Sequence, residues 1–284
     1  MLAAIIGYPL GHSMSPAIHN AAYRAMALDL SFEAWSTPPE DVPAAVARVR
    51  EAGLLGMNVT VPHKQAVMAL LDAVDPTAAA IGAVNTIVKQ DGRLVGYNTD
   101  RFGFIRSLRA AGCEPSGMHT VILGYGGSER AVAYGLAEAG AASISIGGRR
   151  PSGIGEAVDH LEATTPRPLP IGALFDDASL ATACAQAQLV VNCTPVGMRH
   201  TISEGTSPLP ARLLRPGLWV CDLIYNPLET ELLRLAREAE AHVVNGLDML
   251  VYQAAEAIRL WTGSEAPVDI MKQAALDQLA VRSV

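Results

Sequence analysis

The chain has 284 residues, a formal net charge of -7, 50% hydrophobic residues and only 5% aromatic residues. Such a length fits two packed domains or one large one, and the core must be built mainly from Ala, Val, Leu and Ile. An acidic balance with no basic run argues against a broad nucleic-acid face or an anionic-membrane patch, and no window of about 18 uncharged apolar residues is present. The apolar start lacks a basic leader and reads as a first strand, Leu2 to Ile6, rather than as a signal peptide. Pro16 sits near the start of a helix running through His19 to Ala25. Leu30 to Trp35 is the next strand. Thr37 can cap a helix entered through Pro38 and Pro39, with Glu40 three residues on, continuing to about Glu51. Leu54 to Val59 forms a third strand, and Pro62 opens a helix carrying Lys64 to Leu71. Ala83 to Lys89 and Arg93 to Tyr97 flank Gln90-Asp91-Gly92, whose Asp-Gly step marks a hairpin. A helix from about Arg101 to Ala110 leads to Gly112.

A second domain begins near Met118. Its strands are Thr120 to Leu123, Ser143 to Ile146, Leu189 to Asn192, Trp219 to Leu223 and Ala241 to Val244, with helices between them. Thr230 to Ala239 is the clearest helix, whereas proline and glycine interrupt the pattern from Arg149 to Pro170. Helices Leu247 to Trp261 and Ile270 to Ala280 close the chain and are expected to return to the first domain. Alternating strands and helices predict an α/β fold. The expected division is residues 1–112 with 246–284 for a substrate domain, and 113–245 for a nucleotide domain. Cys113, Cys184, Cys193 and Cys221 are scattered, without metal-ligand spacing or a disulfide framework, and predict a reducing cytoplasm.

Thr120-Val121-Ile122-Leu123 runs into Gly124-Tyr125-Gly126-Gly127-Ser128 and then into a helix-like stretch from Glu129 to Ala139. Strand, glycine turn and helix together point to a dinucleotide pyrophosphate site, because glycines let backbone amides approach phosphate at a positive helix end. A tight turn with no ligand is the plainer alternative. After the second strand comes Gly147-Gly148-Arg149-Arg150, with no carboxylate until Glu156. Two guanidinium groups suit a 2′-phosphate and favour NADP over NAD, unless both are merely solvated.

In the first domain, polar residues stand in apolar surroundings. Lys64 follows a strand end, and Asp100 follows another just before a helix. A lysine and an aspartate on one hydroxyl can share its proton, provided the fold unites them. Ser13 and Ser15 can bind a carboxylate or cap a helix. Asn85 can address vicinal hydroxyls or tie down a turn. Tyr225 and Gln253 are further polar candidates, while His12, His19 and His63 lack an orienting acid and fit structural or surface roles.

These pieces, taken in order, resemble the shikimate dehydrogenase family. They are GYPLGHSMSPAIHN at 7–20, GMNVTVPHK at 56–64, IGAVNTI at 81–87, GYNTDRFGF at 96–104, LGYGGSERAV at 123–132, VNCTPVGM at 191–198, CDLIYNPLETELL at 221–233 and GLDMLVYQAAEAIRLWTG at 246–263. The resemblance implies a split substrate domain around an inserted Rossmann-like, NADP-binding domain. It implies Lys64 and Asp100 as the catalytic pair, and Ser13 and Ser15 on the substrate carboxylate. Thr60, Asn85, Asp100 and Gln253 would address ring hydroxyls, with Tyr225 lining the same cleft. Cofactor contacts would fall at Gly124, Gly126, Gly127, Ser128, Arg149, Arg150, Thr194 and Gly246. The implied reaction is reversible reduction of 3-dehydroshikimate to shikimate by a monomer or homodimer, with no metal. Alternatives are a quinate/shikimate enzyme using NAD or NADP, an aminoshikimate-type paralogue, or a cofactor binder with little turnover.

The chain departs from the family pattern in places. The usual turn resembles Gly-Ala-Gly-Gly-Ala, whereas Tyr125 and Ser128 stand here and Glu129 follows. These changes are expected to add bulk beside the cofactor and negative charge near a phosphate. A common Asn-Arg-Thr clamp becomes Gly148-Arg149-Arg150. His63 stands where phenylalanine is frequent.

Overall fold

The computed structural model describes residues 1–11, 13–51, 53–148, 150–174 and 176–282. The chain divides into two compact units, Met1–Gly103 with Val251–Val284, and Phe104–Leu250. In chain order the first runs β1 (Leu2–Gly7), α1 (Ser15–Ala25), β2 (Ser31–Ser36), α2 (Val42–Arg48), β3 (Leu54–Val59), β4 (Ala73–Val74), α3 (Pro76–Ile81), β5 (Thr86–Gln90), β6 (Arg93–Tyr97) and the start of α4 (Asp100–Ala110). The described strands form a six-stranded sheet in the order β2-β1-β3-β5-β6-β4. β1 is parallel to β2 and β3, and β5 is antiparallel to β3 and β6. The β5–β6 turn has Asp91 at φ 50° and Gly92 at φ 79°, both left-handed as a type I′ hairpin requires.

Two expected helices differ. Thr37 does not cap a helix; its Oγ1 donates to Trp35 O at 2.9 Å. A 3₁₀ turn, Pro39–Asp41, comes first, and α2 starts only at Val42 and ends at Arg48. Pro43 sets that start, since a residue without N–H fits only the first turn. Nor does Pro62 open a helix. His63 N donates to Thr60 O at 2.9 Å in a turn, and only a short 3₁₀ segment, Ala66–Leu70, follows. The unexpected α3 carries its own punctuation. Asp75 accepts from the Thr77 and Ala78 amides at 2.9 and 3.3 Å, Pro76 follows, and Gly82 ends the helix at φ 71°.

The second unit holds β7 (His119–Leu123), α5 (Gly127–Glu138), β8 (Ser143–Gly147), α6 (Pro151–Thr164), β9 (Ile171–Leu174), α7 (Asp177–Gln186), β10 (Leu189–Asn192), β11 (Trp219–Asp222), α8 (Glu231–Glu238) and β12 (His242–Val244). α6 and β9 fill the stretch where the sequence pattern was interrupted. Every pairing is parallel, in the order β12-β11-β10-β7-β8-β9. Numbered within the unit, that is the 3-2-1-4-5-6 order of a doubly wound dinucleotide fold, with the reversal between β7 and β10. Val121, Ile122, Val190, Val191 and Val220 are buried, as expected of parallel strands covered on both faces.

α9 (Gly246–Thr262) and α10 (Val268–Arg282) complete the chain. The compact units divide inside α4 and α9 rather than at the expected junctions, 112/113 and 245/246. Phe104, Leu108 and Met249 join the second unit's core, which draws both divisions into the helices. In the first unit, Trp261 Nε1 donates to Ile87 O at 3.0 Å, fixing α9 on β5, while His19 stacks on Phe32 at 4.0 Å. Among the described residues, no helix is long and apolar enough to cross a membrane.

Candidate active site

The β5–β6 hairpin builds the polar centre of the first unit. Thr86 pairs with Tyr97, so the Asn85-Thr86 and Asn98-Thr99 steps lie at the open end of the hairpin, with Asp100 beginning α4. Asn98 Oδ1 accepts from the Asp100 and Arg101 amides at 3.1 and 3.3 Å. Lys64 reaches the same place from the turn after β3, anchored where its carbonyl accepts from Val84 N at 2.8 Å. Its Nζ lies 2.6 Å from Asp100 Oδ2, and the two residues are only 8% and 6% exposed. Two such buried charges persist because each answers the other; removing one would strand its partner. Asp100 also sits at the positive end of α4, which favours a carboxylate.

Asn85 completes this cluster. Its Nδ2 donates to Asp100 Oδ1 at 2.8 Å and to Thr99 Oγ1 at 2.9 Å, while its Oδ1 accepts from Thr99 N at 2.8 Å and Thr86 Oγ1 at 3.0 Å. Those partners fix which way the amide faces. Beneath it, Asn58 Nδ2 donates to Thr86 Oγ1 and to Asn85 O at 3.0 and 3.2 Å. Gln253, on α9, is joined through long 3.5 Å contacts from Asn85 Nδ2 and Thr99 Oγ1 to its Oε1. An ammonium has three donors, and the Asp100 bond uses one, so Lys64 keeps donors for a substrate oxygen.

The other predicted residues of this unit stand apart from that network. Ser13 Oγ accepts from Ser15 N at 3.3 Å, and Ser15 is buried at the start of α1. The N-cap residue is Met14, which makes no side-chain cap bond. Thr60 is half-buried just past β3; a Cβ on Gly7 would lie 2.4 Å from its methyl, so glycine there makes its room. Tyr225 belongs to the second unit, after β11 and ahead of Pro227. His12 and Arg149 lie outside the described residues.

At the β7–β10 reversal, Gly124 has φ 110°, and a Cβ on it would come 3.1 Å from the Cys193 carbonyl carbon and from Thr194 Cγ2. Only glycine allows that backbone and that approach. Gly126 precedes α5, is exposed, and a Cβ on it would meet nothing within 4 Å. Gly127 and Ser128 open α5, and the first-turn amides of a helix lack intrahelical acceptors. These features fit a dinucleotide pyrophosphate. Thr194 Oγ1 donates to Asn192 Oδ1 at 2.7 Å and accepts from Val196 N at 3.2 Å, so it shapes the loop after β10. Gly246 opens α9, where a Cβ would fall 2.0 Å from Leu223 O. Arg150 Nε donates to the Tyr125 hydroxyl at 2.8 Å.

Two family models match the chain: the shikimate dehydrogenase substrate binding domain over residues 5–87, and the shikimate 5'-dehydrogenase C-terminal domain over residues 246–276. A shikimate dehydrogenase (NADP(+)) of Moorella thermoacetica is 47% identical over 282 residues, covering 99% of this chain and 95% of that protein. The chain belongs to the shikimate dehydrogenase family. The family's enzyme from Thermus thermophilus, crystallised with NADP(H) and shikimate, is 38% identical with a TM-score of 0.88, covering 98% of this chain and 100% of that one. A quinate dehydrogenase of Corynebacterium glutamicum, in complex with NAD, is 31% identical with a TM-score of 0.90, covering 98% and 99%.

The departures from the family pattern have local explanations. His63 is buried, and its Nε2 meets Thr37 O at 2.7 Å, so a backbone carbonyl satisfies the ring. Glu129 does not bring the expected charge. It is 1% exposed, Oε2 has no partner, and burial pushes its pKa up to about 8, so it is mostly protonated at neutral pH. Nor does the Tyr125 ring fill the space at Gly126; it lies against Gly148 and Gly153. Thr86, Asn98 and Thr99 were missed as supports of the family's pair, although the repeated Asn-Thr step was a visible signal. In the second unit, buried Asp222 accepts from Asn192 Nδ2, Thr230 Oγ1 and Ile224 N at 3.0, 2.7 and 3.1 Å, tying β10, β11 and α8 together.

Proposed function

We propose that the chain reduces 3-dehydroshikimate reversibly to shikimate with NADPH, in the route to chorismate and aromatic amino acids. The observation that carries this reading is the buried Lys64–Asp100 pair, locked by Asn85, in a member of this family. NADP, when bound, supplies the hydride in one direction and accepts it in the other. Lys64 holds its ammonium at the ring ketone, stabilises the negative charge that grows on oxygen, and delivers a proton there. Asp100 keeps the ammonium aimed. Asn85 holds Asp100 and, with Thr60 and Gln253, addresses the ring hydroxyls. Ser13 and Ser15 bind the carboxylate without adding charge.

Gly124, Gly126, Gly127 and Ser128 would hold the pyrophosphate of NADP. Arg149 and Arg150 would meet its 2′-phosphate, and Thr194 and Gly246 shape the surrounding loops. The four unpaired cysteines support a reducing, cytoplasmic setting. Hydride transfer is traced directly with NADPH deuterated at its reactive nicotinamide carbon. Mass and NMR spectra should find deuterium on C3 of the shikimate formed; shikimate without that label, or no product, overturns the reading.

A further inference from the structure

Tyr125, Gly148 and Gly153 form one packing unit. A Cβ on Gly148 would stand 2.5 Å from Tyr125 Cε1 and 2.6 Å from Cδ1, while a Cβ on Gly153 would stand 2.4 Å from Cε2 and 2.8 Å from Cδ2. The two glycines therefore receive opposite edges of one ring. Gly153 lies in the first turn of α6. Neither glycine has a positive φ, so their backbones do not call for glycine. What calls for it is space, and the Tyr125 ring fills that space. Tyrosine at 125 and glycine at 148, both departures from the family pattern, thus pack as one unit.

The ring ends in a hydroxyl that accepts from Arg150 Nε at 2.8 Å. Arg150 follows β8, the second strand of the doubly wound sheet, where such folds receive the adenine ribose. An exposed arginine samples many rotamers, and binding must first freeze them. Here a rigid, seated ring restrains the side chain beforehand. The bond engages the inner nitrogen, so the planar fork of the two outer nitrogens is not spent on it.

We propose that Tyr125 is a positioning residue for NADP: seated on Gly148 and Gly153, it holds Arg150 so that the outer edge of the guanidinium meets the 2′-phosphate. The proposal rests on the NADP-dependent reading above. Calorimetric titration of the full-length protein with NADP+ and NAD+ tests it without relying on turnover. Tyr125→Phe keeps the ring and its packing but removes the hydroxyl. It should weaken NADP+ binding about two- to tenfold, the range a typical net hydrogen bond allows, and leave NAD+ binding unchanged. Arg150→Ala should cause at least the same selective loss, and adding Tyr125→Phe to it should cost nothing more. Equal weakening of both nucleotides, unchanged NADP+ binding in Tyr125→Phe, or additive losses in the double variant would overturn the role of Tyr125 alone. A wild-type protein that binds NADP+ no more tightly than NAD+ overturns the cofactor reading and the proposal together.

Discussion

Lys64 and Asp100 are stable inside the protein because each charge answers the other and Asn85 satisfies the carboxylate's second oxygen. Lys64→Ala should therefore lower kcat by about 10²–10⁴-fold, the usual range for a general acid, with NADP+ affinity held within about twofold. Stopped-flow rates and nucleotide titration check this; parallel losses in both would remove Lys64 from the chemistry. Lysine, aspartate and Asn85 were legible in the sequence because polar residues beside strand ends stand out. Thr86 and Thr99 are signalled only by the repeated Asn-Thr step, because their partners depend on hairpin register, which the Asp-Gly turn fixes only once the strands pair. Glu129 was misread for a physical reason: a sequence shows a carboxyl but not its burial. Its folded pKa of about 8 lies above the ordinary 4.5. The protonated group thus contributes stability that is fully present below pH 4.5 and is lost as pH rises toward 8. Glu129→Gln should flatten the fall in Tm across that window, as thermal melts would record; an unaltered slope would contradict the buried, protonated state.

Most elements were readable where pattern and punctuation agreed. The β7 turn into α5 and the Asp91-Gly92 hairpin announced themselves, whereas α3 was overlooked despite its Asp75-Pro76 start and Gly82 stop. The Pro62 helix failed because a proline permits a helix start without demanding one, and here the turn instead carries Lys64 to Asp100. Tertiary contacts likewise explain glycines that local rules leave open. A Cβ on Gly56 of β3 would fall 2.2 Å from Trp261 Nε1 and 2.5 Å from Ile87 O. Gly56→Ala should break the Trp261–Ile87 bond and destabilise the protein by about 2–4 kcal/mol, combining overpacking with a lost hydrogen bond. Urea unfolding followed by tryptophan fluorescence measures this; an undisturbed midpoint would show that α9 does not depend on that close approach.

At the scale of the molecule, alternating strands and helices made the α/β class legible, and the glycine turn indicated the nucleotide fold. Strand order was not legible, since 3-2-1-4-5-6 emerges only from the pairing of β7 with both β8 and β10. The domain junctions were drawn at loops, but Phe104, Leu108 and Met249 carry the second unit's core into α4 and α9. Family membership, the Lys64–Asp100 cluster and the open glycine turn converge on one activity. Initial rates of the purified protein with shikimate or quinate, each paired with NADP+ or NAD+, test it most directly. The account predicts strong turnover with shikimate and NADP+ and far weaker turnover in the other three mixtures; comparable rates with quinate and NAD+, or none in any mixture from folded protein, would contradict it.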